Sequence, residues 1–335
     1  MKKVSIIVPA YNSHDTLARC LGSLVNQTLE DIEIIVVNDA STDDTWEIMK
    51  RCESQFPDKV VIIDGGVNRG SGGARNLGFD AATGDYIGLV DSDDYVAPTM
   101  YEKLYSQAIE TGADIVDSGF YSEATDKAMI YTGDNVTGIL DDEKRSILIS
   151  GGGYLVTKIF KRELFNEPRV RMREKVRCLE DSEILTYMIL RAKSIANVKE
   201  IFYNYCDNAG SATKSMALDV YYDSIYSAIK ATYVLCHELS TYEGAKASAE
   251  YAMTHMYSFG VNRCLYDQIA RYGADIKNVR KYFDNTRRPE QELLRKLAEL
   301  RKEVITIPYE KNQFITAKIK PLDLEIIREC DRRFC

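Results

Sequence analysis

Asp91-Ser92-Asp93-Asp94 puts three carboxylates within four positions, directly after the apolar run Tyr86-Ile87-Gly88-Leu89-Val90. The run reads as a short buried strand that ends abruptly in polar residues. Three acids this close repel one another unless a cation or a cationic ligand sits among them. Carboxylate oxygens are hard donors suited to Mg²⁺ or Mn²⁺, and magnesium sites typically combine one or two carboxylates with substrate phosphates. An Asp-x-Asp at the carboxyl end of a strand therefore points to a metal-bridged diphosphate. Its plain alternative is a solvated turn whose acids merely favour loop geometry.

Such a cluster needs a frame, and the first half of the chain supplies the pattern of one. Strand-like runs at Val4–Val8, Ile32–Val37, Val60–Ile63 and Tyr86–Val90 alternate with helical stretches at Asp15–Val25, Asp43–Gln55, Ser71–Ala82 and Pro98–Glu110. Another strand begins at Asp114–Val116. Apolar strands alternating with helices imply a parallel sheet covered on both faces, with ligands bound at the carboxyl ends of its strands. Those ends read Pro9-Ala10-Tyr11-Asn12, Asn38-Asp39-Ala40-Ser41, Asp64-Gly65-Gly66 and Asp91-Ser92-Asp93. Polar groups at all four are better explained by a shared ligand than by chance. A dinucleotide fold would place Gly-x-Gly-x-x-Gly after the first strand, where this chain has Pro9-Ala10-Tyr11-Asn12. The later glycine-rich stretch starts with P-loop spacing, Gly65 to Gly70, but carries Ser71 where the Lys belongs.

Bulk properties narrow the class. Hydrophobic residues at 45% and charged residues at 28% of 335 describe an ordinary soluble protein, too long for one small domain. A net charge of −8 excludes a general nucleic-acid binder. Eight scattered cysteines without a Cys-x-x-Cys pair suit a reducing cytosol. No apolar stretch approaches the roughly 18 residues of a membrane helix. From Lys277 to Cys335 there are 15 Lys and Arg against 10 Asp and Glu, a local +5. That stretch admits peripheral contact with anionic head groups. The interspersed acids favour the alternative, a solvated helix face.

Several blocks match a known family. Val4 through Asn12, Leu21 through Thr28, Glu33 through Asp43, Ala74-Arg75-Asn76 and Gly84 through Asp94 resemble, in order, a family 2 glycosyltransferase of the bacterial cell-surface polysaccharide type. The resemblance implies a GT-A fold, a mixed sheet flanked by helices, with a catalytic domain over 1–214. Residues 1–118 would bind the nucleotide-sugar and 119–214 the acceptor, followed by a helical region at 215–335. It implies a metal-dependent hexosyl- or N-acetylhexosaminyltransferase, with Mn²⁺ or Mg²⁺, a UDP-sugar donor and a saccharide or lipid-linked saccharide acceptor. The enzyme would be cytoplasmic, at the inner face of the plasma membrane if the basic stretch binds lipid.

The same resemblance assigns residues. Pro9, Tyr11, Asp39 and Asn68 would line the base pocket, with Arg75 reaching ribose or diphosphate. A carboxylate at Asp39 can accept a uracil ring N–H. Its alternative is a cap on the helix near Asp43. Asp91, Ser92 and Asp93 would form the donor and metal site: Asp91 would bind the ribose or a metal-bound water, Asp93 would ligate the ion that bridges the phosphates, and Asp94 would help hold the metal or its waters. In Cys178-Leu179-Glu180-Asp181-Ser182-Glu183, Asp181 would take the acceptor's proton and Glu180 is the substitute. The alternative makes Asp181 or Ser182 the N-cap of the periodic helix Ile184–Leu190.

Two weaker matches are Thr157 through Phe165 and a turn at Tyr203-Asn204-Tyr205 with Gly210-Ser211. The family often has an aromatic residue ahead of Lys158, where Leu155 and Val156 stand. Two other functional classes compete: a sugar nucleotidyltransferase, which would need a glycine-rich loop after strand one, and a non-catalytic sugar-nucleotide binder. Residues 120–150 read as polar and irregular. The tyrosines at 221, 222, 226, 233, 251 and 257 read as helix packing, with an acceptor-sugar platform as the alternative.

Overall fold

Seven-residue runs rich in β-branched residues build the centre of the sheet. β1 (Val4–Ala10) and β2 (Ile32–Asn38) are buried along their whole length, as strands covered on both faces must be. β3 (Val60–Asp64) flanks β2 and β4 (Tyr86–Leu89) flanks β1, all four parallel. The connecting helices are α1 (Leu17–Val25), α2 (Thr45–Gln55) and α3 (Gly70–Ala81). α1 buries Leu17, Cys20, Leu21, Leu24 and Val25, the stripe of an amphipathic helix. α3 lies so close to β1 that a Cβ on Gly78 would sit 2.4 Å from Ile7 Cγ2.

The computed structural model describes residues 1–176, 178–207 and 218–335, with no side chain described for 218–221. Its middle third continues with β5 (Tyr95–Val96), α4 (Met100–Thr111), β6 (Ile115–Ser122), β7 (Lys127–Met129) and β8 (Gly138–Ile139). It ends with α5 (Asp142–Gly151), β9 (Lys158–Lys161), α6 (Glu163–Asn166), α7 (Glu180–Arg191) and β10 (Ser194–Tyr205). The ten-stranded sheet has the order β3-β2-β1-β4-β9-β6-β10-β5, with β7 on β6 and β8 on β10. β9 runs antiparallel to both β4 and β6. The sheet is therefore mixed, as the resemblance implies, while the alternating strands β1 to β4 and β6 all run the same way. Apolar periodicity reports burial, not strand direction.

Two other expectations change. Within the supposedly irregular stretch, α5 is a full helix. Its cap Asp141 accepts the Lys144 N–H at 2.8 Å, and its buried face places Arg145 beside Leu148 and Ile149. The Arg145 guanidinium donates to the Leu140 and Ala192 carbonyls. A charge in a core position hid the periodicity. Tyr203-Asn204-Tyr205, expected as a turn, closes β10, while Gly210 and Ser211 lie outside the described residues.

The C-terminal region is helical: α8 (Leu218–Cys236), α9 (Tyr242–Cys264), α10 (Tyr266–Tyr272), α11 (Val279–Asp284), α12 (Arg288–Val304), α13 (Gln313–Lys318) and α14 (Pro321–Phe334). Apolar side chains fall into two clusters, one around the sheet and one among these helices. α9 belongs to both: Tyr242, Ala245 and Ala249 join the first, Met253, Met256 and Tyr257 the second. The boundary expected at 214/215 lies outside the described residues. Tyr222 and Tyr257 are buried, and Tyr226, Tyr233 and Tyr251 pack against the same cluster. They are packing residues; the Tyr221 side chain lies outside the described residues. On α12, Arg288 pairs with Glu292 at 3.3 Å, and Arg287, its cap residue, pairs with Glu290. Among the described residues no helix is long and apolar enough to cross a membrane.

One buried carboxylate ties the starts of the central strands together, at the end of the sheet opposite the acid cluster. Glu33 Oε1 accepts from Ser5 Oγ at 2.5 Å, Thr83 N at 2.6 Å, Thr83 Oγ1 at 2.8 Å and Gly84 N at 3.2 Å. Glu33→Ala strands these donors, and hydrogen bonds to a charge are the strong ones. We expect a loss of about 3 kcal/mol in urea unfolding; a loss under about 1 kcal/mol would show that water replaces the carboxylate.

Candidate active site

Register brings the strand ends together. Ala10, Asn38 and Asp64 are direct partners across β1, β2 and β3, and the Val90 N–H donates to the Ile7 carbonyl at 3.1 Å next door. Pro9 is buried in β1, while Tyr11, just beyond it, is 48% exposed. The exits bend sharply. Asn12 and Ala40 have φ of +48° and +60°, left-handed values that cost non-glycine residues energy and mark tightly held turns. Asn12 is held by Ser41 and Thr42, its N–H donating at 3.0 Å and its Oδ1 accepting at 2.8 Å. Ser92 shares a 2.8 Å hydroxyl bond with Ser13, tying the β4 exit to the β1 exit.

Asp39 does cap a helix, but not the one near Asp43. Its two oxygens accept the Arg69 and Gly70 N–H groups at 2.7 and 2.8 Å, at the start of α3 some thirty residues away. Burial pushes its pKa up, against the pull of those two bonds. Each oxygen retains a second lone pair for a ligand N–H. Asn68 is exposed at the same helix start, its Oδ1 accepting from Gly70 N at 3.3 Å.

α3 carries the central cation. Arg75 is 6% exposed. It donates to Asp91 Oδ1 at 2.6 Å and to Glu180 Oε1 at 3.3 Å. Burial alone would lower its pKa, but the charges of Asp91, Glu180 and Asp181 outweigh it and hold the pKa raised. Its Nε is buried without a hydrogen-bond partner. Gly72 lets residues 172–173 lie on the same helix: a Cβ there would be 2.3 Å from the Arg173 carbonyl. Asn76 seals this contact with two 2.8 Å bonds to the Met172 backbone.

The acids divide their work. Asp94 is 1% exposed, and both its oxygens are taken, by the Tyr203 hydroxyl at 2.5 Å and the Cys206 N–H at 2.8 Å. Burial foremost, then the nearby Asp91 charge, pushes it up to about 8. Closed to solvent on these two donors, it locks the cluster to β10. Asp91 and Asp93 remain partly exposed, and Arg19 holds the Asp93 carbonyl at 2.8 Å. Among the described residues no three His, Cys, Asp or Glu side chains form a metal-binding group. Two carboxylates fit a cation that takes its remaining ligands from water and substrate phosphates.

α7 begins at Glu180 with Leu179 at its N-cap, in a left-handed turn with φ +69°. Neither Asp181 nor Ser182 is the cap. Glu180 is 6% exposed, its Oε1 accepting from Ser71 Oγ and from Arg75 at 3.3 Å. Asp181 is half-buried and, among the described residues, bonded within its own turn, to Ser182 N at 2.8 Å and Ser182 Oγ at 3.4 Å. Burial first, then the Glu180 charge, raises its pKa, against the pull of Arg75. Sequence reasoning missed the residues that hold this turn. Buried Glu183 pairs with Arg173 at 2.7 Å, and Arg173 also donates to Ser227 of α8. An Arg ten residues before a helical Glu carries no local signal.

The family model described as Glycosyl transferase family 2 matches residues 5–166. The chain is 33% identical over 243 residues to the uncharacterized glycosyltransferase EpsJ of Bacillus subtilis (strain 168), covering 69% of each. It is 33% identical over 242 residues to the poly(ribitol-phosphate) beta-glucosyltransferase of Bacillus spizizenii, covering 69% of this chain but 37% of that protein's length. In fold it is similar to S. aureus TarS 1–349 in complex with UDP-GlcNAc, with a TM-score of 0.71 at 19% identity over 98% of this chain and 88% of that one. Strand-end acids on a mixed GT-A sheet and relatives of this extent lead to one assignment: the chain is a glycosyltransferase of family 2.

Proposed function

We propose that the enzyme moves a hexosyl or N-acetylhexosaminyl group from a UDP-sugar to a saccharide or lipid-linked saccharide hydroxyl, with inversion, in cell-surface polysaccharide synthesis. The observation that carries this reading is Arg75, which binds Asp91 at the sheet's acid cluster and Glu180 beside Asp181 with one guanidinium. One cation thus links the acid cluster that this reading gives to the donor diphosphate with the turn that carries Asp181. The poly(ribitol-phosphate) beta-glucosyltransferase relative and the UDP-GlcNAc complex of the structural neighbour support the donor and acceptor classes.

In this reading Pro9, Tyr11, Asp39 and Asn68 hold the base, and Arg75 orients the ribose or diphosphate. Asp91 and Asp93 would hold Mn²⁺ or Mg²⁺ with the phosphates, and the ion supplies Lewis-acid neutralisation of the departing diphosphate. Asp181 accepts the proton of the acceptor hydroxyl as its oxygen bonds the anomeric carbon. The carbon–oxygen bond to UDP breaks on the opposite face, and its electron pair leaves with UDP. Ser92 holds the β1 and β4 exits at fixed separation. The basic face of α12 is the surface that would meet anionic lipid, although its Arg–Glu pairs support a solvated face instead.

Three outcomes test this. Calorimetry should find UDP binding that requires Mn²⁺ and is abolished by Asp93→Ala; a metal-dependent preference for GDP would move the donor, and no nucleotide binding would end the proposal. Asp181→Asn should lower kcat about 10²- to 10⁴-fold with UDP affinity kept, whereas wild-type turnover would remove Asp181 as the base. A base works deprotonated, so a raised pKa shifts the acid limb of kcat/KM upward. That limb should lie above the ordinary Asp value of about 3.9, and a pH–rate profile flat from pH 4 upward contradicts it.

A further inference from the structure

The acceptor half carries a row of aromatic rings that the donor chemistry does not use. Tyr131, Tyr154 and Tyr205 are 37%, 38% and 37% exposed, backed by Phe120, which is 3% exposed. Phe120 stacks on Tyr131 with centroids 5.9 Å apart and meets Tyr154 edge-on at 5.0 Å. Tyr154 lies 5.8 Å from Tyr131 and stacks near-parallel on Tyr205 at 6.4 Å. Rings that pack only a core are covered; these three keep surface open to solvent.

The row runs from the strand end that anchors Asp94 to the helix that carries Asp181. Tyr205 follows Tyr203 by two positions and precedes Cys206, both of which bond Asp94. At the other end, a Cβ on Gly153, the residue before Tyr154, would be 3.7 Å from Leu185 Cδ2, one turn along α7 from Asp181. The same Cβ would be 3.8 Å from Tyr131 Cβ. Burial, followed by neighbouring Tyr131 and Tyr205 and then Asp181, pushes Tyr154 up to about 12. Burial and then Asp94, Asp91 and Asp93 raise Tyr205.

A buried ion pair builds the row. Lys158, 3% exposed, donates to Asp117 at 3.0 Å and to the Tyr154 carbonyl at 2.9 Å. Asp117 also accepts at 2.6 Å from Thr132, the neighbour of Tyr131, and at 2.6 Å from Thr157. The buried pair thus holds the Tyr154 carbonyl directly and Tyr131 through the side chain of its neighbour Thr132. Tyrosine offers a flat apolar face with a polar edge, and binding sites typically combine such faces with a few fixed polar groups. A pyranose ring is the complementary shape, apolar across its C–H face and ringed by hydroxyls.

We propose that Tyr131, Tyr154 and Tyr205 form the stacking platform for a pyranose ring of the acceptor, and that the Asp117–Lys158 pair positions it. This rests on the transferase reading above, since the platform's use is to present a hydroxyl to Asp181. The test is saturation-transfer NMR with methyl β-glycosides of glucose, galactose and N-acetylglucosamine, each added to the full chain with UDP and Mn²⁺. Saturation should fall on the C–H protons of one ring face. Tyr154→Ala and Tyr205→Ala should each weaken it about fivefold or more, the loss of one aromatic contact. Tyr154→Phe and Tyr205→Phe keep the ring and should keep the signal, and calorimetric UDP affinity in all four variants reports that they fold. Equal saturation in the Ala variants, or none with any glycoside in a wild type that binds UDP, overturns the platform alone. A wild type that binds neither UDP nor GDP overturns the proposed function, and the platform falls with it.

Discussion

A single buried guanidinium organises the carboxylates of this enzyme. Asp91, Glu180 and Asp181 converge from distant segments of the chain, and like charges gathered in a poorly hydrated space oppose folding. Arg75 lies among them, closer than 3.5 Å to two. Stranding one member of a buried ion pair costs about 3–5 kcal/mol, against about 1 kcal/mol for an ordinary hydrogen bond. The relative placement of β4 and α7 is therefore set by this contact more than by any one backbone bond around it. Everything that fixes Arg75 becomes part of the site: Asp39 on the amides at the start of α3, Gly78 seating the helix on Ile7, and Gly72 admitting residues 172–173.

The acid cluster shows how neighbouring identical side chains acquire different tasks. Asp94 turns inward to Tyr203 and Cys206 and fastens the β4 exit to β10, where β5 pairs with Tyr203 and Asn204. Asp91 and Asp93 stay partly open. Burying the third carboxylate on two protein donors satisfies it without a cation, which leaves a two-carboxylate site suited to a shared metal. The helical region secures the other wall. α9 contributes to both apolar clusters, Thr241 donates to the Leu190 carbonyl at the end of α7 at 2.7 Å, and Lys318 reaches the Ser150 carbonyl on α5 at 2.6 Å. The helix that starts with Glu180 and Asp181 is thus braced from behind.

Much of this was legible from local pattern. The first four strands and the helices between them follow from apolar runs and helical spacing, because burial on both faces or on one stripe leaves a periodic trace. Asp91 and Asp93 were legible because three acids after an apolar strand demand an explanation. Arg75, Asn76, Glu180 and Asp181 came from ordered blocks, with partners that spacing could not supply.

What local pattern could not carry was contact between distant segments. The sequence by itself determined an α/β sheet, an acidic rim at its strand ends and the set of charged residues available there. Only the tertiary structure decided that Asp39 caps α3, that Asp94 faces the interior, that Glu180 belongs to Arg75, and that β9 runs against its neighbours. It alone joined Phe120, Tyr131, Tyr154 and Tyr205 into one row. The physical reason is common to all of them. Periodicity records which side of an element is dry, whereas a carboxylate's partner or a ring's neighbour is chosen by segments that meet only when the sheet closes.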